Sequence, residues 1–241
     1  MRITCLHTAP SNIAVFDSAA KALGIAPEVL HHEVREDLLA AAEHAGCLTA
    51  EIAHSTTSTL LALAQQADAI LLTCSTLGPA VEGLAATTTV PILRTDEALA
   101  IAAVQAGGNI AVLCAVDTTL QPTSRLFFQA ARQFQASVEV QLVPGAWVLF
   151  KSGDIDGYLA TIAKAADQAY LCGVSIVALA QASMGGAAAL VTAGPPPLTS
   201  ATAGLRAVLQ ALINCQGDVD QATAALPATK AQALDTTNAA P

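Results

Sequence analysis

Apolar runs at residues 2–6, 69–73, 90–93, 109–115, 138–143 and 174–180 read as strands, and most are separated by stretches with helical spacing. The candidate helices are 12–23, 35–45, 50–66, 77–85, 96–106, 119–135, 154–172, 184–192 and 201–214. Strands alternating with helices predict an α/β chain with parallel sheets covered on both faces. Local signals support several boundaries. Thr95 precedes Asp96-Glu97, which puts negative charge in a first helical turn, and Gly107-Gly108 ends that helix before the next strand. Pro195-Pro196-Pro197 cannot be helical and reads as a rigid connector. Residues 216–241 are polar and alanine-rich, and are expected to be a weak helix or a mobile tail.

The pattern repeats. Ile70-Leu71-Leu72-Thr73-Cys74-Ser75-Thr76-Leu77-Gly78 and Val177-Ala178-Leu179-Ala180-Gln181-Ala182-Ser183-Met184-Gly185 are each an apolar run, a polar turn and a helix start, offset by 181 − 74 = 107. The same offset aligns Ile3–Leu6 with Ile110–Leu113 and Ser11 with Thr118. Two doubly wound units are therefore expected, 1–96 and 97–199, with 200–241 packing back onto the first. Ligands of open parallel sheets bind beyond the carboxyl ends of the strands. Ser11, Cys74, Thr118 and Gln181 all follow such strands and are expected to meet in the cleft between the units.

With 54% hydrophobic residues the 241-residue chain has ample material for a core. A net charge of −9 without a Lys/Arg cluster argues against nucleic acid, whereas a small carboxylate remains suitable for backbone N–H groups and hydroxyls. Residues 168–205 carry no charge, but Gln181, Ser183, Gly185-Gly186 and the proline run interrupt any membrane span. The first residues show no signal-peptide pattern, and the six cysteines no CxxC spacing, so reduced thiols in a cytoplasm are expected. Dinucleotide, P-loop, G-x-S-x-G and H-E-x-x-H motifs are missing, so no nucleotide or metal cofactor is implied.

Cys74 is the strongest chemical candidate. Its expected place at a helix N-terminus would stabilise thiolate and lower the thiol pKa. Cys5, Cys114 and Cys172 read as structural. Ser11, Ser75, Thr76, Thr118 and Ser183 would each pass for a helix cap, yet as a set from corresponding turns they suggest a carboxylate cradle. His31, His32, His44 and His54 lack a same-face i, i+4 ligand spacing and are expected to be solvated. His7 ends the first strand beside the cleft and is a secondary candidate for touching substrate.

The chain resembles the aspartate/glutamate/hydantoin racemase superfamily along nearly its whole length. The resemblance is carried by Leu6–Ser11, Leu72–Gly78, Val90-Pro91-Ile92 with Asp96-Glu97, Ala115–Thr119 with Pro122-Thr123, Leu179–Met184 and Leu198-Thr199-Ser200. It implies two pseudo-symmetric flavodoxin-like lobes with the active site between them, and an activity without cofactor, of the kind found in racemases, maleate isomerase and arylmalonate decarboxylase. Family racemases use one cysteine from each lobe on opposite faces of the substrate carbon. Cys74 matches the first, while Gln181 stands where the second belongs. An amide transfers no proton near neutral pH, so the resemblance implies Cys74 as the sole thiol acid/base. It also implies Pro10, Ser11, Ser75, Thr76, Thr118, Gln181, Ala182 and Ser183 as substrate-binding residues, with Gln181 suited to donate to an enediolate oxygen. Isomerisation beside a carboxylate, decarboxylation and non-catalytic carboxylate binding all fit this pattern. A homo-oligomer is compatible with it.

Overall fold

A computed structural model of the chain describes residues 1–134 and 136–224. It contains two four-stranded sheets in which every pairing is parallel. The first has strand order β2-β1-β3-β4, from β1 (Ile3–His7), β2 (Leu30–Val34), β3 (Ala69–Leu72) and β4 (Ile92–Arg94). The second repeats it as β6-β5-β7-β8, from β5 (Asn109–Cys114), β6 (Ser137–Leu142), β7 (Ile176–Leu179) and β8 (Leu198–Thr199). The central strands are buried along nearly their whole length, as expected of strands with helices on both faces.

The 107-residue repeat is written into the hydrogen-bond ladders. Ile3 lies opposite Ala69, and Ile110 lies opposite Ile176. Beyond the strands the backbone bonds correspond as well, with Thr73 N–H donating to Leu6 at 3.1 Å and Ala180 N–H donating to Leu113 at 3.0 Å. The register departs from this offset at the outer strands, by one residue where Ile3 faces Leu30 but Ile110 faces Val138, and by two where Leu71 faces Leu93 but Ala178 faces Leu198.

The helices are α1 (Asn12–Ala22), α2 (Glu36–Ala45), α3 (Ala50–Ala64), α4 (Thr95–Ala106), α5 (Leu120–Phe134), α6 (Ala146–Lys151), α7 (Ile155–Leu171) and α8 (Ser200–Ala224). Two of them exchange lobes. After β4 of the first sheet, α4 buries Leu99, Ala100, Ala103 and Val104 against Ile110, Val112 and Ala178 of the second. After β8 of the second sheet, α8 returns to bury Ala201, Leu205 and Val208 against Ile3, Cys5 and Leu71 of the first. The two helices also pack on each other. Small residues make this approach possible, because a Cβ at Gly204 would stand 2.7 Å from Cγ2 of Thr95.

Several elements differ from the sequence expectation. Residues 77–86 form two short 3-10 turns, Gly78–Val81 and Leu84–Ala86, separated by Gly83 in the left-handed conformation at φ 85°. Residues 182–190 are also 3-10 rather than α-helical. The strand β2 reads Leu-His-His-Glu-Val, a polar edge strand without an apolar run to reveal it. Thr95 enters the helix itself, and its hydroxyl donates to the Leu72 carbonyl at 3.3 Å instead of capping. The uncharged stretch 168–205 divides into the end of α7, β7, a 3-10 run, β8 and the start of α8. Among the described residues no helix is long and apolar enough to cross a membrane. Of the expected tail, 216–224 continue α8, and 225–241 lie outside the described residues.

The docking of α8 is testable. Leu205 is fully buried against the first sheet and Ile213 is 61% exposed. Leu205→Ala should lower stability by about 2–5 kcal/mol in urea unfolding, whereas Ile213→Ala should stay within about 0.5 kcal/mol. Equal effects would mean that α8 is not anchored on that sheet.

Candidate active site

The carboxyl ends of β1, β3, β5 and β7 open onto one cavity of about 120 Å³. Pockets that hold drug-sized ligands are larger, at about 300–1,000 Å³. This one suits a small molecule. The turn after β1 lines it with Thr8, Ser11 and Asn12, and the turn after β3 with Cys74, Ser75 and Thr76. From the second lobe come Val116, Thr118 and Thr119 after β5, and Gln181, Ala182 and Ser183 after β7. The expected site residues Ser11, Cys74, Ser75, Thr76, Thr118, Gln181, Ala182 and Ser183 are thus brought to a single cavity. Pro10 is exposed and stays off the lining, its carbonyl accepting from Ile13 N–H at 3.1 Å to start α1.

His7 is fully buried and stands behind the wall rather than on it. Its Nδ1 lies 2.9 Å from Thr73 Oγ1, and its Nε2 lies 2.8 Å from His32 Nδ1. Burial first, then the neighbouring His32, push His7 down to about 4, so it is neutral at physiological pH.

Cys74 is partly buried in the pocket wall. The neighbouring Thr8 hydroxyl and the backbone N–H groups of Leu77 and Thr76 favour thiolate, but burial outweighs them. The thiol pKa is therefore raised, with the nearby Asp96 carboxylate adding to the shift. This corrects the expected depression. No α-helix follows Cys74, only a turn and a four-residue 3-10 segment from Gly78 to Val81, so the helix macrodipole invoked from sequence is missing. Beneath that turn lies a buried ion pair. The Arg94 guanidinium donates to both carboxylate oxygens of Asp96, at 3.0 and 2.7 Å. Gly78 leaves room for it, because any Cβ there would collide with the guanidinium.

Gln181 occupies the position that corresponds to Cys74, and the second lobe holds its amide at both ends. The Ala115 backbone N–H donates to its Oε1 at 2.7 Å, and its Nε2 donates to Thr119 Oγ1 at 3.0 Å. The Thr119 hydroxyl in turn donates to the Val116 carbonyl at 2.7 Å. The Gln181 side chain also lies beside the buried Cys114, whose thiol pKa is raised by burial. Ser183 is positioned by the buried Tyr158, whose hydroxyl lies 2.8 Å from its Oγ.

The lining also includes residues that sequence reasoning missed. Leu39 and Glu43 reach it from α2, and Trp147 and Phe150 from α6, their rings stacked at 4.9 Å. The signal for the aromatic pair was weak but present. Val143-Pro144-Gly145 follows a strand as the turns around Ser11 and Cys74 do, and Gly145, at φ 78°, starts α6 abruptly enough to bring Trp147 over the cavity. Nothing around Glu43 marks it out from a solvated helix position.

The sequence profile of Asp/Glu/Hydantoin racemases matches residues 11–208. Three solved structures share the fold at low identity. An aspartate racemase homologue from Pyrococcus horikoshii superposes with a TM-score of 0.62 at 13% identity, covering 88% of this chain and 99% of its own. The allantoin racemase of Pseudomonas fluorescens gives 0.61 at 19% identity, covering 92% of each chain. Glutamate racemase from Thermus thermophilus, in complex with β-chloro-D-alanine, gives 0.58 at 18%, covering 90% of this chain and 81% of its own. Comparison with curated protein sequences finds no match.

Because burial raises the Cys74 pKa, its thiolate fraction at neutral pH falls below that of an ordinary thiol. Limiting iodoacetamide at pH 7 should label the exposed Cys47, Cys172 and Cys215 first, with Cys74 catching up only at alkaline pH. Peptide mass analysis reads the order, and fastest labelling at Cys74 would contradict the direction of the shift.

Proposed function

Because this chain belongs to the Asp/Glu/hydantoin racemase family, we propose that it is a cofactor-independent isomerase-type enzyme acting at the carbon beside a carboxylate. In this reading Cys74 is the sole thiol acid/base. The observation that carries it is the lining of the cavity, where one cysteine and a ring of hydroxyls face an anchored amide. Ser11, Ser75, Thr76 and Thr118 supply donors for a carboxylate without a lysine or arginine on the lining. The Gln181 amide would donate to the enediolate oxygen that forms when the carbon loses its proton. Trp147 and Phe150 would cover the apolar side of the substrate.

Single-thiol chemistry restricts the outcome. A lone base removes and returns a proton on one face, so exchange proceeds with retention, whereas inversion needs an acid on the opposite face. Gln181 provides none.

Decarboxylation is the second reading, favoured by the direction in which the Cys74 pKa moves. A thiol held in its protonated form begins as a donor. When the bond to the leaving carboxylate breaks, its electron pair stays on the α-carbon as an enediolate and CO2 departs. The Cys74 proton would go to that carbon, and water would restore the thiol.

The two readings separate in deuterated buffer with a panel of small mono- and dicarboxylates, followed by chiral chromatography and CO2 release. Isomerase-type chemistry predicts deuterium exchange at the α-carbon with retention, decarboxylation predicts CO2, and Cys74→Ala should lower either rate by about 10²–10⁴-fold. Gln181→Cys should add inversion on a substrate that the wild type only exchanges. Inversion by the wild type, or full activity in Cys74→Ala, would sink the proposal.

A further inference from the structure

We propose that Cys5, His7 and His32 form a binding site for a divalent cation of the zinc class, one residue behind the pocket wall at Thr73. Side chains two apart on a strand share a face, so Cys5 and His7 of β1 point the same way. Cys5 is the direct partner of His32 across the β1–β2 pairing, which brings the third side chain to that face. A sulfur and one nitrogen from each ring lie within 4.8 Å of one another. One thiolate and two imidazoles are a donor set that zinc accepts.

The hydrogen bonds around the cluster strengthen the assignment. Each ring has its outer nitrogen held by an oxygen, His7 Nδ1 by Thr73 Oγ1 at 2.9 Å and His32 Nε2 by Asp17 Oδ1 at 3.0 Å. Metal-binding histidines are commonly oriented this way, with the outer N–H donating to a carboxylate or another oxygen. While the Thr73 hydroxyl donates to the Leu6 carbonyl at 3.0 Å its single proton is used there, and His7 Nδ1 is then the donor to Thr73. The Asp17 carboxylate accepts, so His32 Nε2 must also carry a hydrogen. His7 Nε2 and His32 Nδ1 face each other at 2.8 Å beside the Cys5 sulfur, where one cation can be shared between them.

Binding exchanges the Cys5 S–H bond for a metal–sulfur bond and releases one proton to solvent. Imidazole nitrogens sharing a tetrahedral zinc stand about 3.3 Å apart, so the two rings part by about half an ångström. The His32 side chain is 14% exposed, which gives the ion access from the α1 side, and solvent completes its coordination. A bound ion would clip β1 to β2, with Asp17 tying the site to α1 and Thr73 tying it to the strand that carries Cys74. The same atoms can close without a metal if Thr73 turns its proton from Leu6 to His7, giving the neutral chain Thr73 to His7 to His32 to Asp17.

Chelator-stripped full-length protein titrated with Co²⁺ at neutral pH distinguishes the two. The expected result is one equivalent bound per chain, with a thiolate-to-cobalt charge-transfer band and the intense visible bands of four-coordination, both removed by Zn²⁺. Zn²⁺ should also raise the melting temperature. Cys5→Ser should abolish the charge-transfer band, and His32→Gln should weaken binding at least 10-fold. Exposed Cys47, Cys172 and Cys215 control for adventitious binding, so their triple Ser variant must retain the equivalent. If Cys5→Ser does not fold, His32→Gln on the edge strand carries the comparison. No stoichiometric uptake by the wild type, or uptake unchanged in both variants, overturns the site in favour of the neutral chain.

Discussion

The parallel pairings of β1 with β3 and of β5 with β7 are the constraint on which the pocket depends. Each pair is buried on both faces, and a parallel ladder ends all its strands at the same edge. The turns that leave that edge therefore have to lie side by side. Thr73 and Ala180 are held back to Leu6 and Leu113 by equivalent bonds, so Cys74 and Gln181 begin corresponding turns. A one-residue slip in either pair would send each side chain to the opposite buried face, into a core packed for its neighbour.

The exchange of α4 and α8 holds the two edges together. Each helix is covalently continuous with one sheet and packs on the other, so neither lobe completes its core alone. Ala100, Ala103 and Ala201 are among the residues that α4 and α8 contribute, and Gly204 allows contact at Thr95 that a larger residue would prevent. A shared core of this kind limits relative lobe movement and keeps a 120 Å³ cavity shaped for a small ligand.

Burial also governs the chemistry. It raises the thiol pKa of Cys74 against the neighbouring donors, keeps His7 neutral, and holds the Tyr158 hydroxyl at about 12 while it positions Ser183. The charge buried beneath the pocket is paired, Arg94 with Asp96. The second lobe meets the same requirement with a neutral amide, which satisfies both Ala115 and Thr119 without needing a charge.

Sequence alone determined the periodicities and the repeat. Alternating apolar runs and helical stretches specified a parallel α/β chain, and the 107-residue offset carried through to the β1–β3 and β5–β7 registers because both are set by the same apolar positions. It also aligned Cys74 with Gln181, since both follow their strands at the same distance. Tertiary structure decided what depends on neighbours distant in sequence. The pKa of Cys74 is set by the packing around it. Glu43, Trp147 and Phe150 reach the pocket from helices whose local sequence carries no chemical motif. Cys5, His7 and His32 meet across a parallel pairing, where adjacency follows from strand order rather than from spacing along one helix. Local physics acts through spacing along the chain, whereas burial and cross-strand contact arise only when distant segments share one core.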